Sequence, residues 1–247
     1  MSRWKAAATH LAISLALGTV TGAVLYFLWF PQPYFIAAGA SRLMLVLMGV
    51  DVCIGPLLTL LAANPRKPKR LLKLDLAIIA TLQALAFGYG IHAIATTRPV
   101  FVVAESDRFI LVSADEISDA DLAQARQPAF RSLSWTGPLL VGAIPPSGNE
   151  AGTLALHVIE GGKDIDRLPR YYVPYDHVTG RFMRHARTLG QLDKATADQR
   201  RRLERLQAKI GADPLLALPL QRGDKDFTVI LSPRTKKPLE VLALNSW

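Results

Sequence analysis

Three long apolar stretches fill the first hundred residues, at residues 6–30, 43–63 and 74–95, with very little polar sequence between them. A hydrocarbon core about 30 Å thick takes roughly 20 apolar residues at 1.5 Å each, and every stretch reaches that length. Asp51 and the border residue Asp75 are the charges inside them. From about Thr97 onward the pattern is that of ordinary soluble sequence. It predicts a membrane α-helical region of three transmembrane helices over residues 1–96, then a C-terminal extramembrane domain over residues 97–247.

The placement of Lys and Arg orients the helices. Arg3 and Lys5 precede the first stretch, and Asn64-Pro65-Arg66-Lys67-Pro68-Lys69-Arg70, followed by Lys73, separates the second from the third. The linker over residues 31–41 carries no charge before Arg42. Short basic loops stay cytoplasmic. The N-terminus and the basic loop are therefore expected inside and the 31–41 turn outside. Three crossings then put the C-terminal domain outside the inner membrane, in a bacterium the periplasm. The first stretch is too long for a signal-peptide core and ends in Tyr26, Phe27, Trp29, Phe30, Pro31 and Pro33, an interfacial belt with no small-residue cleavage site. It reads as a retained helix.

Composition changes this picture only slightly. Of the formal charge of +9, +6 lies before position 97 and +3 beyond it. The basic balance is thus mainly a topology signal, with the lipid bilayer as partner and no nucleic acid implied. The single cysteine, Cys53, lies in the second stretch, which excludes disulfides and cysteine metal sites from the outer domain.

The most unusual local chemistry is in the second helix, Gly49-Val50-Asp51-Val52-Cys53-Ile54-Gly55-Pro56-Leu57-Leu58-Thr59. Asp51 follows Arg42 by nine residues, about 13 Å of helix, and so stands near mid-membrane. A carboxylate there is costly unless protonated or paired, and such residues face protein. Pro56 cannot bond back to Val52, so a kink is expected beside Asp51, while Gly49 and Gly55 allow another helix to approach closely. Two readings stand: a polar docking point for a partner's transmembrane helix, or an internal bond to Thr19, Thr21 or Gln83. A proton relay is disfavoured by the lack of a second acid or His at similar depth. His92 lies near the outer end of the third helix.

Beyond Arg98-Pro99, residues 100–104 and 108–112 read as a β-hairpin, with Ser113 and Ser118 as N-caps of a helix reaching about Arg126. A loop with Trp135-Thr136-Gly137-Pro138 leads to the apolar residues 139–144, a turn at 145–149 and a further apolar segment at 153–159. Leu168-Pro169-Arg170-Tyr171-Tyr172-Val173-Pro174-Tyr175 is an aromatic and proline cluster, either a contact surface or a loop packed over the core. Thr196 caps a helix ending at Ile210, with Leu203, Leu206 and Ile210 on one face and Arg200, Arg201, Arg202, Arg205 and Lys209 around it. That basic cover is either solvated or set against an anionic partner. Residues 215–220, 227–231 and 239–244 close the chain as a β unit, giving an α+β domain.

Nothing in the domain has the pattern of a catalytic site. There is no nucleophile elbow, no metal-spaced His pair and no phosphate loop. His157, His177 and His185 are scattered, and Asp164 and Asp166 suit a hydrogen-bonded turn. No enzyme activity, catalytic residue, metal or cofactor is expected.

The sequence resembles the type IV pilin accessory proteins of the TfpX/TfpZ type over nearly its whole length. Three features carry the resemblance. They are Gly49-Val50-Asp51 with Gly55-Pro56-Leu57-Leu58-Thr59 and the Asn64-Pro65-Arg66-Lys67 turn; Arg98-Pro99-Val100 leading to Asp107-Arg108-Phe109; and the 168–175 cluster. The resemblance implies an inner-membrane protein with a chaperone-like or modulatory role toward the pilin subunit. Its partner would be the type IV major pilin, through the membrane helix and the head. By analogy Asp51, Gly55 and Pro56 would form the pilin-helix site, and Tyr171, Tyr172 and Tyr175 would meet the head. Two other classes remain open: a membrane-tethered envelope enzyme, which needs a polar cleft in the outer domain, and a sensor or scaffold.

Overall fold

A computed structural model describes residues 3–63, 67–188 and 195–244. Residues 64–66, the start of the basic turn, lie outside the described residues. The chain divides into two compact units. One runs through Leu28 and then from Gly39 to Thr97; the other takes Trp29–Ala38 and continues from Arg98.

The first unit is helical. Helix α1, Arg3–Val24, continues through a widened π turn, Leu25–Trp29. Helix α2, Ala40–Gly49, passes through a second π turn, Val50–Ile54, into α3, Gly55–Ala62. Helix α4 spans Lys69–Thr96. The continuous helices Arg3–Trp29, Ala40–Ala62 and Lys69–Thr96 are long and apolar enough to cross a membrane. Of α4, only Ile94 is fully buried; Ile79, Gln83, Phe87 and Gly90 form a half-buried face with it, and most of the rest of the helix is exposed.

The second unit is built on a mixed eight-stranded sheet in the order β4-β3-β1-β2-β6-β7-β8, with β5 also paired to β6. Strands β1 (Pro99–Glu105) and β2 (Arg108–Ser113) form the expected antiparallel hairpin, turning at Ser106 with φ 47°. Strand β3 (Leu139–Ala143) runs parallel to β1 and antiparallel to β4 (Tyr172–Pro174). The C-terminal strands β6 (Leu216–Arg222), β7 (Lys225–Leu231) and β8 (Pro238–Leu242) form a meander joined in parallel to β2 through β6. The two-residue β5 (Arg187–Thr188) pairs with β6.

Helices α5 (Asp119–Ala123), α6 (Asn149–Ile159), α7 (Asp176–Phe182) and α8 (Ala197–Ile210) complete the unit. The segment 153–159 thus belongs to a helix, and α5 stops three residues before Arg126. Ser118 and Thr196 cap α5 and α8 in reciprocal capping boxes with Asp121 and Gln199. Leu203 of α8 is buried, with Leu206 and Ile210 packed beside it over Ala217, Ile230 and Leu242. A second core gathers Phe101, Val103 and Val112 with Val141, Ile165 and Tyr172. Gly142 lets α7 reach the sheet: a Cβ there would stand 2.5 Å from a Val178 methyl. The segment Trp29–Ala38 contributes Phe30, Tyr34, Ala37 and Ala38 to the buried interior, and Arg222 Nη1 donates to the Ala37 carbonyl at 3.3 Å.

Candidate partner-binding site

Asp51 lies in the widened turn between α2 and α3 and is 8% exposed. The expected kink takes the form of this π turn, and Pro56 explains why the turn needs help. With i→i+5 pairing, the donor facing the Asp51 carbonyl is position 56, and proline has no N–H to give. Gln83 of α4 fills the vacancy, its Nε2 donating to the Asp51 backbone oxygen at 3.5 Å. Gly55 makes room for it, since a Cβ at that position would collide with the Gln83 amide. Gly55 and Pro56 are both buried and shape the turn; any contact of theirs with a partner would be indirect.

The polar neighbours expected for Asp51 are only partly the ones found. Thr19 bonds to Leu15 of its own helix, and Gln83 reaches the Asp51 backbone. Further along the same face, the His10 ring of α1 shares a 2.6 Å hydrogen bond between its Nδ1 and Thr59 Oγ1, and Thr59 is 2% exposed. The i, i+4, i+8 spacing of Asp51, Gly55 and Thr59 marks that stripe in the sequence. Nothing local points to His10.

Beside the turn, α2 and α4 enclose a groove of about 360 Å³. Leu43, Val46 and Val50 form one wall and Ala86, Phe87 and Ala93 the other. Asp51 is the one acidic residue of the lining, and Arg42 is its basic one. Gly90 lets Leu47 reach the α4 backbone: a Cβ there would stand 2.5 Å from Leu47 Cδ1, so a larger residue would displace that side chain.

Of the two arrangements open for the tyrosine cluster, the rings take the one packed over the core: Tyr171, Tyr172 and Tyr175 are 5%, 1% and 5% exposed. Each hydroxyl ties down a distant backbone or side chain. Tyr171 donates to Glu150 Oε1 at 2.9 Å, Tyr172 to the Asp166 carbonyl, and Tyr175 to the Lys236 carbonyl at 2.6 Å. Tyr172 packs edge-on against Phe101 at 5.1 Å, and Phe182 packs edge-on against Phe109 at 4.7 Å, with Tyr175 alongside. Burial pushes the hydroxyl pKa of Tyr175 and of Tyr34 upward, so both stay protonated.

Two carboxyls of the sheet domain are displaced. Burial, aided by Asp166 and Asp164, pushes Glu105 up to about 7; burial also pushes Asp166 up to about 6 against the pull of Arg167. Glu105 Oε2 is buried without a hydrogen-bond partner. Asp164 accepts from the Ile165 amide at 2.7 Å, a turn role. Among the described residues no group of three or more His, Cys, Asp or Glu is arranged to hold a metal ion.

Residues 1–39 match the family profile of the fimbrial assembly protein FimB. A fimbrial assembly protein of Dichelobacter nodosus, serogroup I, is 32% identical over 187 residues, covering 76% of this chain and 72% of the relative. The chain belongs to the fimbrial assembly protein family. The serogroup E1 protein of the same organism is 29% identical over 231 residues, 92% of this chain and 90% of its own length. The protein of serogroups C1 and C2 is 36% identical over 121 residues, 49% of this chain and 92% of the relative. No solved structure matches. In this fimbrial assembly protein, the FimB-matching stretch takes in His10, all of α1 and the segment Trp29–Ala38 with its buried Phe30, Tyr34, Ala37 and Ala38.

Proposed function

We propose that this fimbrial assembly protein is an inner-membrane accessory of type IV fimbriae, of the TfpX/TfpZ type. It holds the major pilin subunit in the membrane in a chaperone-like manner, with its sheet domain in the periplasm. The groove between α2 and α4 receives the apolar membrane helix of the pilin. The observation that carries this reading is the groove itself, an apolar trough with a carboxylate on its wall, in a chain whose relatives are named for fimbrial assembly. Between helices in lipid there is no hydrophobic drive, so association depends on close packing and polar contact. The groove offers both: Gly90 permits close approach, and Asp51 supplies a polar partner that is costly to leave alone in hydrocarbon. Gly55, Pro56 and Gln83 hold the backbone of Asp51 in its widened turn, which fixes where that partner is offered.

The test is in-membrane photocrosslinking from Val46 and Val50, which line the groove and are 59% and 37% exposed. Capture of the major pilin from both positions, weakened by Asp51→Asn, is the expected result. An inserted and abundant protein that captures no pilin from either position would overturn the assignment.

A further inference from the structure

An exposed tryptophan of the sheet domain sits in a cluster whose other two members lie at helix ends. Trp29 is the last residue of the first apolar helix, Arg3–Trp29, and Arg98 follows the third, Lys69–Thr96, by two residues. Residues at these ends stand at the boundary between hydrocarbon and headgroups. The Arg98 guanidinium lies 4.0 Å from the ring centroid of Trp135 and 5.9 Å from that of Trp29, and the two indoles are 5.9 Å apart. Arg98 Nε also donates to the Ser134 carbonyl at 3.3 Å, which pins the backbone next to Trp135. All of these contacts fall within the second unit. Whatever depth Trp29 has, Trp135 shares it to within a ring diameter.

Trp135 is nevertheless 61% exposed. Phe101, Phe109, Phe130, Tyr172, Phe182 and Phe227 of the same unit are buried, so an indole this open requires an explanation. Its surroundings supply a chemistry. Residues 126–139, Arg-Gln-Pro-Ala-Phe-Arg-Ser-Leu-Ser-Trp-Thr-Gly-Pro-Leu, contain two arginines and no acid, and Leu139 at the far end is 38% exposed. An amphipathic indole with basic neighbours suits the headgroup layer, where the ring meets acyl chains and the N–H and guanidinium groups meet phosphate. We propose that residues 126–139 are an interfacial anchor that seats Trp135 in the headgroup layer of the leaflet where the first helix ends. The occupant of this face is lipid. Trp135 continues the membrane boundary set by Trp29, and the two arginines without a carboxylate match the anionic phosphates of that layer.

The test uses the full chain in liposomes of phosphatidylethanolamine and phosphatidylglycerol, with Cys53→Ser as background. Nitroxide labels go on Ser132→Cys and Thr136→Cys, both exposed and flanking an intact Trp135, with Ile159→Cys, at a site 81% exposed, as the aqueous control. Collision with oxygen, which partitions into lipid, is compared with collision with a water-soluble nickel chelate. The labels at 132 and 136 are expected to favour oxygen several-fold over the label at 159, and Trp135→Ala is expected to reduce that preference. Labels as open to nickel as the control would overturn the proposal. Labels shielded from both reagents would also overturn it, since the face would then be covered by protein.

Discussion

Replacing Glu105 with Gln should flatten the pH dependence of stability of the sheet domain. Glu105 ends β1 at the hairpin turn, and burial together with Asp166 and Asp164 raises it from an ordinary 4.5 to about 7. A carboxyl raised in the folded state stabilises the fold fully below its unfolded value. That contribution is lost as pH rises through the folded value, because ionisation then puts an uncompensated charge in a confined site. Asp166 acts in the same direction, from 3.8 to about 6. Asp107 and Asp121 act oppositely: Arg108, Lys163 and Ser118 hold them down, so their contribution is lost only as pH falls below the ordinary aspartate range. Between pH 5 and 8 the raised pair therefore decides the slope. At about 1.4 kcal/mol per tenfold the Glu105 rise corresponds to about 3 kcal/mol, which solvent at its exposed part reduces to about 2 kcal/mol. Read as hydrogen exchange of the β1 and β2 amides of the full chain in nonionic detergent, corrected for intrinsic rates, this is roughly a thirtyfold loss of protection from pH 5 to pH 8. Glu105→Gln keeps the shape, removes the charge and should retain most of that protection at pH 8. Equal slopes in the variant and the parent, or a parent that gains protection as pH rises, would refute the reasoning.

Other expectations follow from single contacts. Gly55→Leu drives a side chain into the Gln83 amide and should lower the steady-state level of the inserted protein, whereas Gln83→Leu, which only removes the donor, should be milder; immunoblots of membrane fractions separate the two. Thr59→Val removes the hydroxyl bonded to His10 and should cost about 0.6 kcal/mol of helix packing in detergent unfolding, as is typical for such bonds in membranes. Tyr172→Phe deletes the bond to the Asp166 carbonyl and should cost about 1–2 kcal/mol, whereas Tyr172→Ala, which also empties the space against Phe101 and Phe130, should cost about 3–5 kcal/mol in denaturant unfolding of the sheet domain. Thr196→Ala should destabilise α8 by about 1 kcal/mol, visible as faster amide exchange in its first turn.

Much of the molecule was legible in the chain because its causes are local. Three runs of apolar residues specify three long helices whatever they pack against. Ser118 and Thr196 announce helix starts because a side-chain oxygen and a free amide three residues on are enough to make a cap. The hairpin of β1 and β2 follows from two β-branched runs around a tight turn. Asp51, Gly55 and Pro56 stood out because each is anomalous within its own helix. What only the tertiary structure decided depends on partners far apart in sequence. His10 meets Thr59 across 49 residues, and Gln83 reaches the Asp51 carbonyl across 32. The His10 bond leaves no local pattern, and the sequence offered Gln83 only as one of three partners for Asp51, because hydrogen-bond geometry is set by how helices cross. The tyrosines of 171–175 left a contact surface and a packed loop both open because Tyr carries a polar tip on an apolar ring; Glu150 and the carbonyls of Asp166 and Lys236 satisfy all three hydroxyls and allow the rings to be buried. Sequence thus determined which segments are helices, caps and hairpins. The fold alone determined which polar atoms find partners, and so which residues are core and which remain open to a partner.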